Sequence, residues 1–329
     1  MHYVRHVLLL AALLLLGACG NDQQSVSGIT HTGNSTPAKA PEQVKKPNVA
    51  LVMKTLTNPF FIEMEKGARR AEKETGIELL VKTATQETSI EQQIQIIDEM
   101  IRAKVDAIVI APGDSLRLVP VLKKAQDAGI KIVNIDNRLD AEAAKKIGLT
   151  NVPFISVDNE KAAYLSAKFI ADQIKSPAQA AIFEGIRSAD NAQQRKNGAL
   201  RAFAENKNIK IVAQESANWK IDEARDLAKT IFKTQPDIKL VFCANDMMAM
   251  GVIEYLRNSK HAPVLLAGFD ALEDAKAAVK AGQMAVTIDQ QAAEQGYQGI
   301  MTALRALHGE PLPTTIQVDV RVITKSSLE

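Results

Sequence analysis

Residues 48–82 read NVALVMKTLTNPFFIEMEKGARRAEKETGIELLVK, and this stretch decides the fold. Asn48–Met53 is a short apolar run, which predicts a buried strand. Phe60–Thr75 has spaced apolar residues and is followed by Gly76, as expected of a helix with a glycine after its last turn. Glu78–Lys82 predicts a second strand. A strand, a helix and a strand in succession indicate the βαβ unit of a parallel sheet.

The same alternation continues along the chain and starts again after about residue 150. In the first half it predicts helices at Ser89–Ala103 and Val119–Ala128, and strands at Ala107–Ala111 and Lys131–Asp136. In the second half it predicts strands at Phe154–Val157, Ala180–Glu184, Lys210–Glu215, Leu240–Ala244 and Pro263–Ala267, and helices at Glu160–Ile174, Ala192–Asn206, Ile221–Lys233 and Asp246–Asn258. A chain of 329 residues suits two domains of moderate size. We therefore expect an α/β protein with two doubly wound parallel-sheet domains.

The first residues predict export and lipid attachment. The apolar run Val7–Leu16 is too short to span a membrane, which takes about 20 residues, but it fits the core of a secretory signal. The run ends in Leu16-Gly17-Ala18-Cys19, which resembles a bacterial lipobox. We expect a signal peptide over residues 1–18, a lipidated Cys19, and a flexible tether over residues 19–47 that is rich in Ser, Thr, Gly, Pro, Gln and Lys. The other cysteine, Cys243, lies in an apolar run and is expected in the core.

Several classes of function lack support in the sequence. The formal charge is only +2 and no basic stripe occurs, so we expect no nucleic-acid partner. Thr55-Leu56-Thr57-Asn58-Pro59 follows the first strand in place of a glycine-rich dinucleotide loop, and there is no P-loop, so no cofactor is expected. The histidines, at positions 2, 6, 31, 261 and 308, do not follow the predicted strands. A metal site or a hydrolytic triad is therefore not expected, and we predict a protein that is not an enzyme.

Ligands of open α/β sheets bind beyond the carboxyl ends of the strands. The side chains at those positions are amides, carboxylates, cations and aromatic rings: Lys54, Asn58, Phe60, Phe61, Asp136, Asn137, Arg138, Gln193, Arg195, Trp219, Asn245, Asp270 and Gln290. This mixture suits a sugar. Aromatic rings cover the C–H faces of a sugar ring, and planar polar groups form paired hydrogen bonds with its hydroxyls.

Each of these residues also has a structural interpretation. Asn58 and Pro59 are typical of a turn that starts a helix, with Phe60 and Phe61 in the core. Asp136 could serve only to cap or pair at a strand end. Asp246 is expected to cap the helix that it begins. Trp219 is harder to explain in this way, because the only tryptophan of the chain lies between two polar segments.

Five motifs, in the same order and spacing, resemble those of the type I periplasmic sugar-binding proteins, particularly the ribose-binding group. They are Thr57-Asn58-Pro59-Phe60-Phe61, Asn191-Ala192-x-x-Arg195-x-x-Gly198, Ala244-Asn245-Asp246-x-Met248-Ala249-x-Gly251, Gly268-Phe269-Asp270 and Thr287-Ile288-Asp289-Gln290. The resemblance runs from about Pro47 to the C-terminus. It implies an aromatic sandwich of Phe60 and Trp219 with Phe61 beside it, and hydrogen bonds to the ligand from Asn58, Asp136, Asn245, Asp270 and Gln290.

The resemblance also implies a hinge of three crossovers between two lobes, near Val157-Asp158, near Gln290 and near Asp319-Val320. The N-terminal lobe would comprise residues 48–157 and 291–319, and the C-terminal lobe residues 158–290 and 320–329. We expect a monomer that is lipid-anchored outside the cytoplasm of a bacterium, on the periplasmic side where there are two membranes. It would capture a monosaccharide or polyol for an ABC permease.

The polar positions depart from the ribose-binding pattern at four places. The chain has Asp136-Asn137-Arg138 where an Asp-Arg pair is usual, Gln193 where an arginine is usual, Ala111 where an amide is usual, and Lys54 near a small hydroxyl position. A hexose, a polyol and a sugar acid therefore stay open, as does contact of Arg138 and Lys54 with the ligand. A sensory receptor that presents the sugar to a chemoreceptor or sensor kinase is the alternative to transport. A DNA-binding repressor with the same core is disfavoured by the export signal.

Overall fold

A computed structural model describes residues 45–329 of the chain. The predicted signal peptide, Cys19 and all of the tether before Lys45 lie outside the described residues. The strands are β1 (Asn48–Met53), β2 (Glu78–Thr83), β3 (Ala107–Ile110), β4 (Lys131–Ile135), β5 (Phe154–Ser156), β6 (Ala178–Glu184), β7 (Ile209–Ser216), β8 (Ile238–Cys243), β9 (Leu265–Ala267), β10 (Val286–Asp289), β11 (Thr315–Gln317) and β12 (Arg321–Thr324).

The helices alternate with the strands for most of the chain. They are α1 (Pro59–Thr75), α2 (Ile90–Ala103), α3 (Val119–Asp127), α4 (Ala141–Lys146), α5 (Asn159–Ala171), α6 (Asp190–Ala204), α7 (Ile221–Thr234), α8 (Asp246–Arg257), α9 (Glu273–Lys280) and α10 (Ala292–Leu307), with a 3-10 turn at Lys325–Ser327. Within residues 45–329, no helix has the length and apolar character needed to cross a lipid bilayer.

The strands form two six-stranded sheets with the same order of connection. The first runs β2-β1-β3-β4-β5-β11 and the second β7-β6-β8-β9-β10-β12. The pairs are parallel except for β10 with β12, which is antiparallel. Strands β1 and β3 are buried almost throughout, as expected of parallel strands covered by helices on both faces. The predicted fold class, two α/β domains with parallel-sheet cores, is confirmed.

The chain passes between the two sheets three times. It leaves the first sheet after β5, returns through α10 to β11, and crosses again to β12. We call the first sheet and its helices α1–α4 and α10 the first lobe, and the second sheet with α5–α9 the second lobe. In the first lobe α1 packs on α10 and α2 packs on α3. In the second lobe α5 packs on α6 and α7 packs on α8.

Local sequence explains where the helix that follows β1 begins and ends. The Asn58 side chain accepts a hydrogen bond from Phe60 N (3.1 Å), Pro59 occupies the first turn, and Gly76 ends the helix with φ = 71°. A polar cap, an N-terminal proline and a left-handed glycine are the usual signals for such boundaries. Three helices were not predicted from the sequence: α4 and α9, which are short, and α10, which has 16 residues.

Candidate functional site

The carboxyl ends of the strands from both sheets meet around one buried cavity. Six residues of the first lobe line it: Lys54, Asn58, Phe60, Phe61, Glu87 and Asp136. Six residues of the second lobe line the opposite side: Asn191, Arg195, Trp219, Asn245, Asp270 and Gln290. We call these two sets the first wall and the second wall. The centre of a water-sized sphere can reach only about 20 Å³ of the space, so the walls nearly touch and the lobes are closed.

Charged side chains of the first wall are paired within the lobe. Lys54 Nζ lies 2.8 Å from Asp136 Oδ2, and both side chains are buried. Asn58 Nδ2 donates to Glu87 Oε1 at 2.9 Å while its own Oδ1 caps α1. Burial raises the pKa of Glu87, and the nearby charge of Lys54 opposes that shift. Phe60 and Phe61 meet edge to face, with ring centres 5.0 Å apart.

The second wall is organised around the guanidinium of Arg195. Its Nε donates to Asn159 Oδ1 (2.8 Å), its Nη1 to the carbonyl of Ala244 (2.9 Å) and its Nη2 to Gln290 Oε1 (3.3 Å). Gln290 Nε2 in turn donates to Asp270 Oδ1 at 2.6 Å. Burial lowers the pKa of Arg195 and raises that of Asp270 well above its usual range, although each charge opposes the other's shift. Arg195 also lies over the Phe269 ring, 3.8 Å from its centre.

Trp219 is held in the second wall by an unusual backbone. Asn218 and Trp219 both have left-handed conformations, with φ of 48° and 68°. The indole packs on Gly185, where a Cβ atom would lie 2.0 Å from the ring, so only glycine leaves room for it. Asn245 Nδ2 donates to the Trp219 carbonyl at 3.3 Å, and Asn245 Oδ1 caps α8.

Positive φ angles are concentrated around the cavity. Of the eight non-glycine residues in the described part of the chain with positive φ, three line it: Asp136 (63°), Trp219 (68°) and Asp270 (121°). Asn218, Ala271 and Gln291 are sequence neighbours of lining residues. Such conformations cost of order 1–3 kcal/mol each and cluster at binding sites, where they fix the direction of side chains.

Two buried polar atoms of residues that line the cavity have no hydrogen-bond partner in the range 45–329. They are Asn191 Oδ1 and Trp219 Nε1. Asp136 Oδ2, by contrast, is paired with Lys54 Nζ at 2.8 Å. A buried polar atom that lacks a partner costs about 1–3 kcal/mol, so such atoms are rare. An acceptor and a donor on residues that line the same space indicate a ligand that both donates and accepts hydrogen bonds.

The structure brings ten of the predicted site residues to the cavity and places three elsewhere. Asn137 is buried outside the cavity and donates to the Pro112 carbonyl (3.0 Å) and to Ser115 Oγ (3.2 Å). Arg138 lies over the Phe154 ring, 4.0 Å from its centre, in a surface groove of about 780 Å³ on the first lobe. Gln193 donates to the Arg187 carbonyl at 2.7 Å on the surface of α6.

Two lining residues were not among the predicted site residues. Glu87 comes four residues after β2, a strand end for which the sequence analysis named no candidates. Asn191 was recognised in a motif but not assigned to the site. A survey of the segment after every strand, together with the first turn of each helix, would have included both.

The prediction that Asp246 caps its own helix is wrong. The cap is Asn245, and Asp246 instead accepts hydrogen bonds from Thr287 Oγ1 (2.8 Å) and Leu272 N (2.9 Å). These bonds hold the loop that carries Asp270. Burial raises the pKa of Asp246 to about 7.

A neighbouring groove and the distribution of metal-ligating side chains offer no better candidate for a binding site than this cavity. A groove of about 830 Å³ lies beside it and shares Phe60 and Asp270, but it is open to solvent, and neither Asn191 nor Trp219 lines it. Residues 45–329 contain no group of three or more His, Cys, Asp or Glu side chains placed to hold a metal ion.

Comparison with known proteins matches most of the two-lobed unit to one family. A family model described as "Periplasmic binding protein domain" matches residues 49–311. The chain is 42% identical to the D-ribose/D-allose-binding protein of Pseudomonas aeruginosa, over 82% of this chain and 85% of that protein. It is 34% identical to the D-allose-binding periplasmic protein of Escherichia coli, over 76% of this chain and 81% of that protein.

A solved structure is similar to this chain in both sequence and fold. It is an ABC transporter periplasmic solute binding protein from Actinobacillus succinogenes with bound D-allose. It is 42% identical, has a TM-score of 0.81, and the match covers 85% of this chain and 98% of that chain. With two parallel sheets, a cavity between them and this degree of identity, the chain belongs to the periplasmic binding protein family.

Proposed function

We propose that this protein binds a neutral monosaccharide between its two lobes and delivers it to an ABC permease for uptake. The observation that carries the proposal is the pair of unpartnered atoms, Asn191 Oδ1 and Trp219 Nε1, on residues that line one cavity. Sugar hydroxyls both donate and accept, so a sugar offers the donor and the acceptor that these two atoms require. Phe60 and Trp219 supply apolar faces from opposite lobes.

The charges in the cavity favour a neutral ligand over a sugar acid. Two lining residues are cationic, Lys54 and Arg195, and three are acidic, Glu87, Asp136 and Asp270. Each cation already contacts a carboxylate, Lys54 at 2.8 Å and Arg195 at 3.7 Å. A ligand carboxylate would therefore enter a site without a free cation. Among neutral sugars, D-allose and D-ribose are the first to test, since the relatives are named for them.

A thermal-shift titration of the purified protein tests the proposal directly. We expect D-allose or D-ribose to raise the melting temperature, because a ligand at 1,000 times its Kd adds about 4 kcal/mol to the free energy of unfolding. D-glucuronate serves as the anionic control and is expected to have no effect. A shift with glucuronate and none with a panel of neutral hexoses, pentoses and polyols would overturn the proposal.

The closed cavity supports a mechanism in which the lobes part to admit the sugar. Residues of both lobes contact the ligand at once only in the closed form, so binding shifts the population toward that form. Small-angle scattering is expected to show a smaller radius of gyration on addition of the sugar. Binding measured by calorimetry without any compaction would rule out this hinge mechanism.

We further propose that Cys19 carries the lipid that holds the protein to a bacterial membrane outside the cytoplasm, on the periplasmic side where there are two membranes, and that the folded unit is a monomer. The support is the lipobox-like Leu16–Cys19 after a short apolar run. Cys19→Ser protein is expected in the soluble extracytoplasmic fraction, whereas the parent fractionates with membranes. Equal fractionation of the two would contradict the anchor.

Uptake is favoured over sensing because relatives of this chain are named as import proteins. One is the ribose import binding protein of Bacillus subtilis, which is 29% identical over 97% of this chain and 98% of that protein. Deletion of the gene for this protein is expected to abolish uptake of labelled sugar at low concentration. Loss of chemotaxis with normal uptake would instead support the sensory alternative. The family consists of solute-binding proteins. The residues that line the cavity all have roles in holding the ligand or the walls, and none of these roles requires a chemical reaction.

A further inference from the structure

The two lobes contact each other at a second place, at the rim of the cavity. We call this place the lip and define it as Ser115 and Asn137 of the first lobe with Ser188, Asp190 and Asn191 of the second. Ser115 N donates to the Ser188 carbonyl at 3.2 Å. Asp190 N donates to Ser115 Oγ at 3.0 Å, and Asn191 N donates to Asn137 Oδ1 at 3.1 Å. Three hydrogen bonds therefore cross from one lobe to the other at this rim.

The lip completes helix α6, which lacks a cap of its own. The first N–H groups of a helix have no partner within it and are usually capped by a Ser, Thr, Asp or Asn side chain at the preceding position. That position in α6 is Ala189, which has no acceptor. The helices α1, α5 and α8 are capped by their own Asn58, Asp158 and Asn245. In α6 the side chains of the first lobe accept the hydrogen bonds instead.

The capping side chains are held in place within the first lobe. Asn137 is fully buried and its amide is anchored on the Pro112 carbonyl. Ser115 accepts from the same amide at 3.2 Å, and the Asp140 backbone N–H donates to the Ser115 carbonyl at 2.8 Å. The two acceptors are therefore positioned before the lobes meet, which limits the entropy lost on closure.

Asn191 connects the lip to the cavity. Its backbone N–H bonds to Asn137 of the first lobe, and its side-chain Oδ1 is one of the unpartnered atoms that face the cavity. A sugar hydroxyl that donates to this oxygen would fix the same residue that the first lobe caps. Ligand contact and lobe contact are thus made by a single residue of α6.

We propose that Ser115 and Asn137 form a latch that caps α6 only in the closed form and so slows the release of the bound sugar. This inference rests on the proposed function in that the ligand is a sugar enclosed by the lobes. Opening exchanges the bonds of the lip for bonds to water. The net contribution of one such bond is small, so the loss of one is expected to raise the dissociation rate about threefold to tenfold. The association rate is expected to stay the same, because the sugar enters while the lip is open.

Trp219 allows the release rate to be measured without a label. It is the only tryptophan of the chain and it lines the cavity, so its fluorescence is expected to change when a sugar binds. We would measure stopped-flow dissociation of D-allose, and of D-ribose, from the full protein and from Ser115→Ala. Ser188→Ala is the matched control, because Ser188 lies at the same lip but contributes only its backbone carbonyl.

The latch predicts faster dissociation from Ser115→Ala, with the rate for Ser188→Ala equal to that of the parent. Ser115→Ala also removes the bond that Ser115 Oγ accepts from Asn137 Nδ2 within the first lobe, so the melting temperature of the ligand-free variant is expected to fall slightly at most, and the dissociation rate decides the test. Equal dissociation rates for Ser115→Ala and the parent would overturn the latch. A lower ligand-free melting temperature with an unchanged rate would also overturn it, because Ser115 would then act within its own lobe.

A second experiment tests the contact at the lip without a ligand, so its result does not depend on which sugar the protein binds. If no sugar changes the fluorescence of the parent or its melting temperature, the proposed function fails, and the lip is tested without any ligand. The backbone hydrogen bond from Ser115 N to the Ser188 carbonyl (3.2 Å) places the two residues next to each other across the lip. The double variant Ser115→Cys, Ser188→Cys is expected to be joined by a short bismaleimide reagent, which does not demand the Cβ geometry of a disulfide, and the absence of any cross-link with a series of reagents of increasing length would overturn the lip. The native Cys243 is buried and serves as the internal control.

Discussion

The two walls of the cavity use the same residue types in different ways. In the second wall the charges are bonded to other protein groups: Arg195 reaches three acceptors, and Asp270 receives the amide of Gln290. In the first wall Lys54 and Asp136 are paired with each other at 2.8 Å, without the chain of further bonded side chains that surrounds Arg195.

This difference separates two tasks of a binding site. A network whose members satisfy one another is rigid before the ligand arrives and orients it at little entropic cost. The ammonium of Lys54 has three N–H donors, so its pair with Asp136 can still gain a bond from a sugar hydroxyl in the right position. We therefore expect the second wall to determine whether the site exists at all, and the first wall to discriminate between sugars.

The largest effect is expected from Arg195→Met. Removing one partner from a buried charged network costs about 3–5 kcal/mol. Here Asp270 would lose the nearby positive charge of Arg195 while it stays buried. We expect the melting temperature to fall and sugar affinity to drop about a hundredfold or more, as measured by scanning and titration calorimetry. Arg201→Met is the matched control in the same helix, because its ion pair with Glu160 is exposed. Similar losses in both variants would show that the loss does not arise from the buried network of the second wall.

Trp219→Phe tests an atom of the second wall that the protein leaves unpaired. The indole Nε1 has no partner among the described residues, so its removal breaks no bond within the protein. We expect sugar binding about tenfold weaker, which corresponds to about 1.4 kcal/mol, and an unchanged melting temperature without the sugar. Titration calorimetry measures the affinity. Unchanged affinity with a lower melting temperature would assign Trp219 a packing role only.

Glu87→Gln tests whether the first wall discriminates between different sugars. The substitution keeps the shape and the acceptor for Asn58 Nδ2 but removes a negative charge. We expect affinity to change about threefold and the ranking of D-allose against D-ribose to change with it. Glu91→Gln, at an exposed position of α2, is the control. Equal weakening for every sugar in the panel would contradict a role in discrimination.

The smallest effect on sugar affinity is expected at Asp246, which supports the second wall and acts mainly on stability. Its pKa is about 7 in the folded protein because of burial, against an ordinary value of 3.8. The folded state therefore holds the proton more tightly than the unfolded chain, and the stability that this group contributes is lost as the pH rises from about 4 to about 7. Asp246→Asn removes the titration.

Scanning calorimetry of the sugar-free protein at pH 5 and pH 8 measures this difference. The parent is expected to lose a few degrees more than Asp246→Asn between the two pH values. Asp226→Asn, at an exposed site, is expected to behave as the parent does. Parallel curves for Asp246→Asn and the parent would show that Asp246 does not titrate in this range.

The sequence predicted the parallel elements well because their signals are local. Strand β1 was predicted with its observed bounds, since a continuous apolar run is what burial on both faces requires. Helix α4 was missed for the converse reason: none of its six residues is fully buried, so no apolar stripe marks it. Strands β11 and β12 are short and partly exposed, and their pairing depends on residues far away in the chain.

The site was predictable in position but not in detail. Parallel sheets place all strand ends on one edge, which brought Lys54 and Trp219 into the candidate set. Which member of Asp136-Asn137-Arg138 faces the cavity depends on the backbone. Asp136 has a φ of 63°, and this departure from the strand directs the next two residues away from the cavity. No local pattern announces that conformation in an aspartate.

The left-handed backbone around the cavity limits how this binding site can be redesigned or can evolve. At positions 136 and 270 the conformation admits Gly, Asn and Asp readily, whereas a β-branched residue there would be strained whatever contacts it made. Lys54, Glu87 and Asn191 lie on ordinary backbone and accept a wider set of side chains. A mutant library aimed at a new sugar is best restricted to three letters at the first two positions and fully randomised at the other three. Natural drift in ligand preference is expected to follow the same unequal paths.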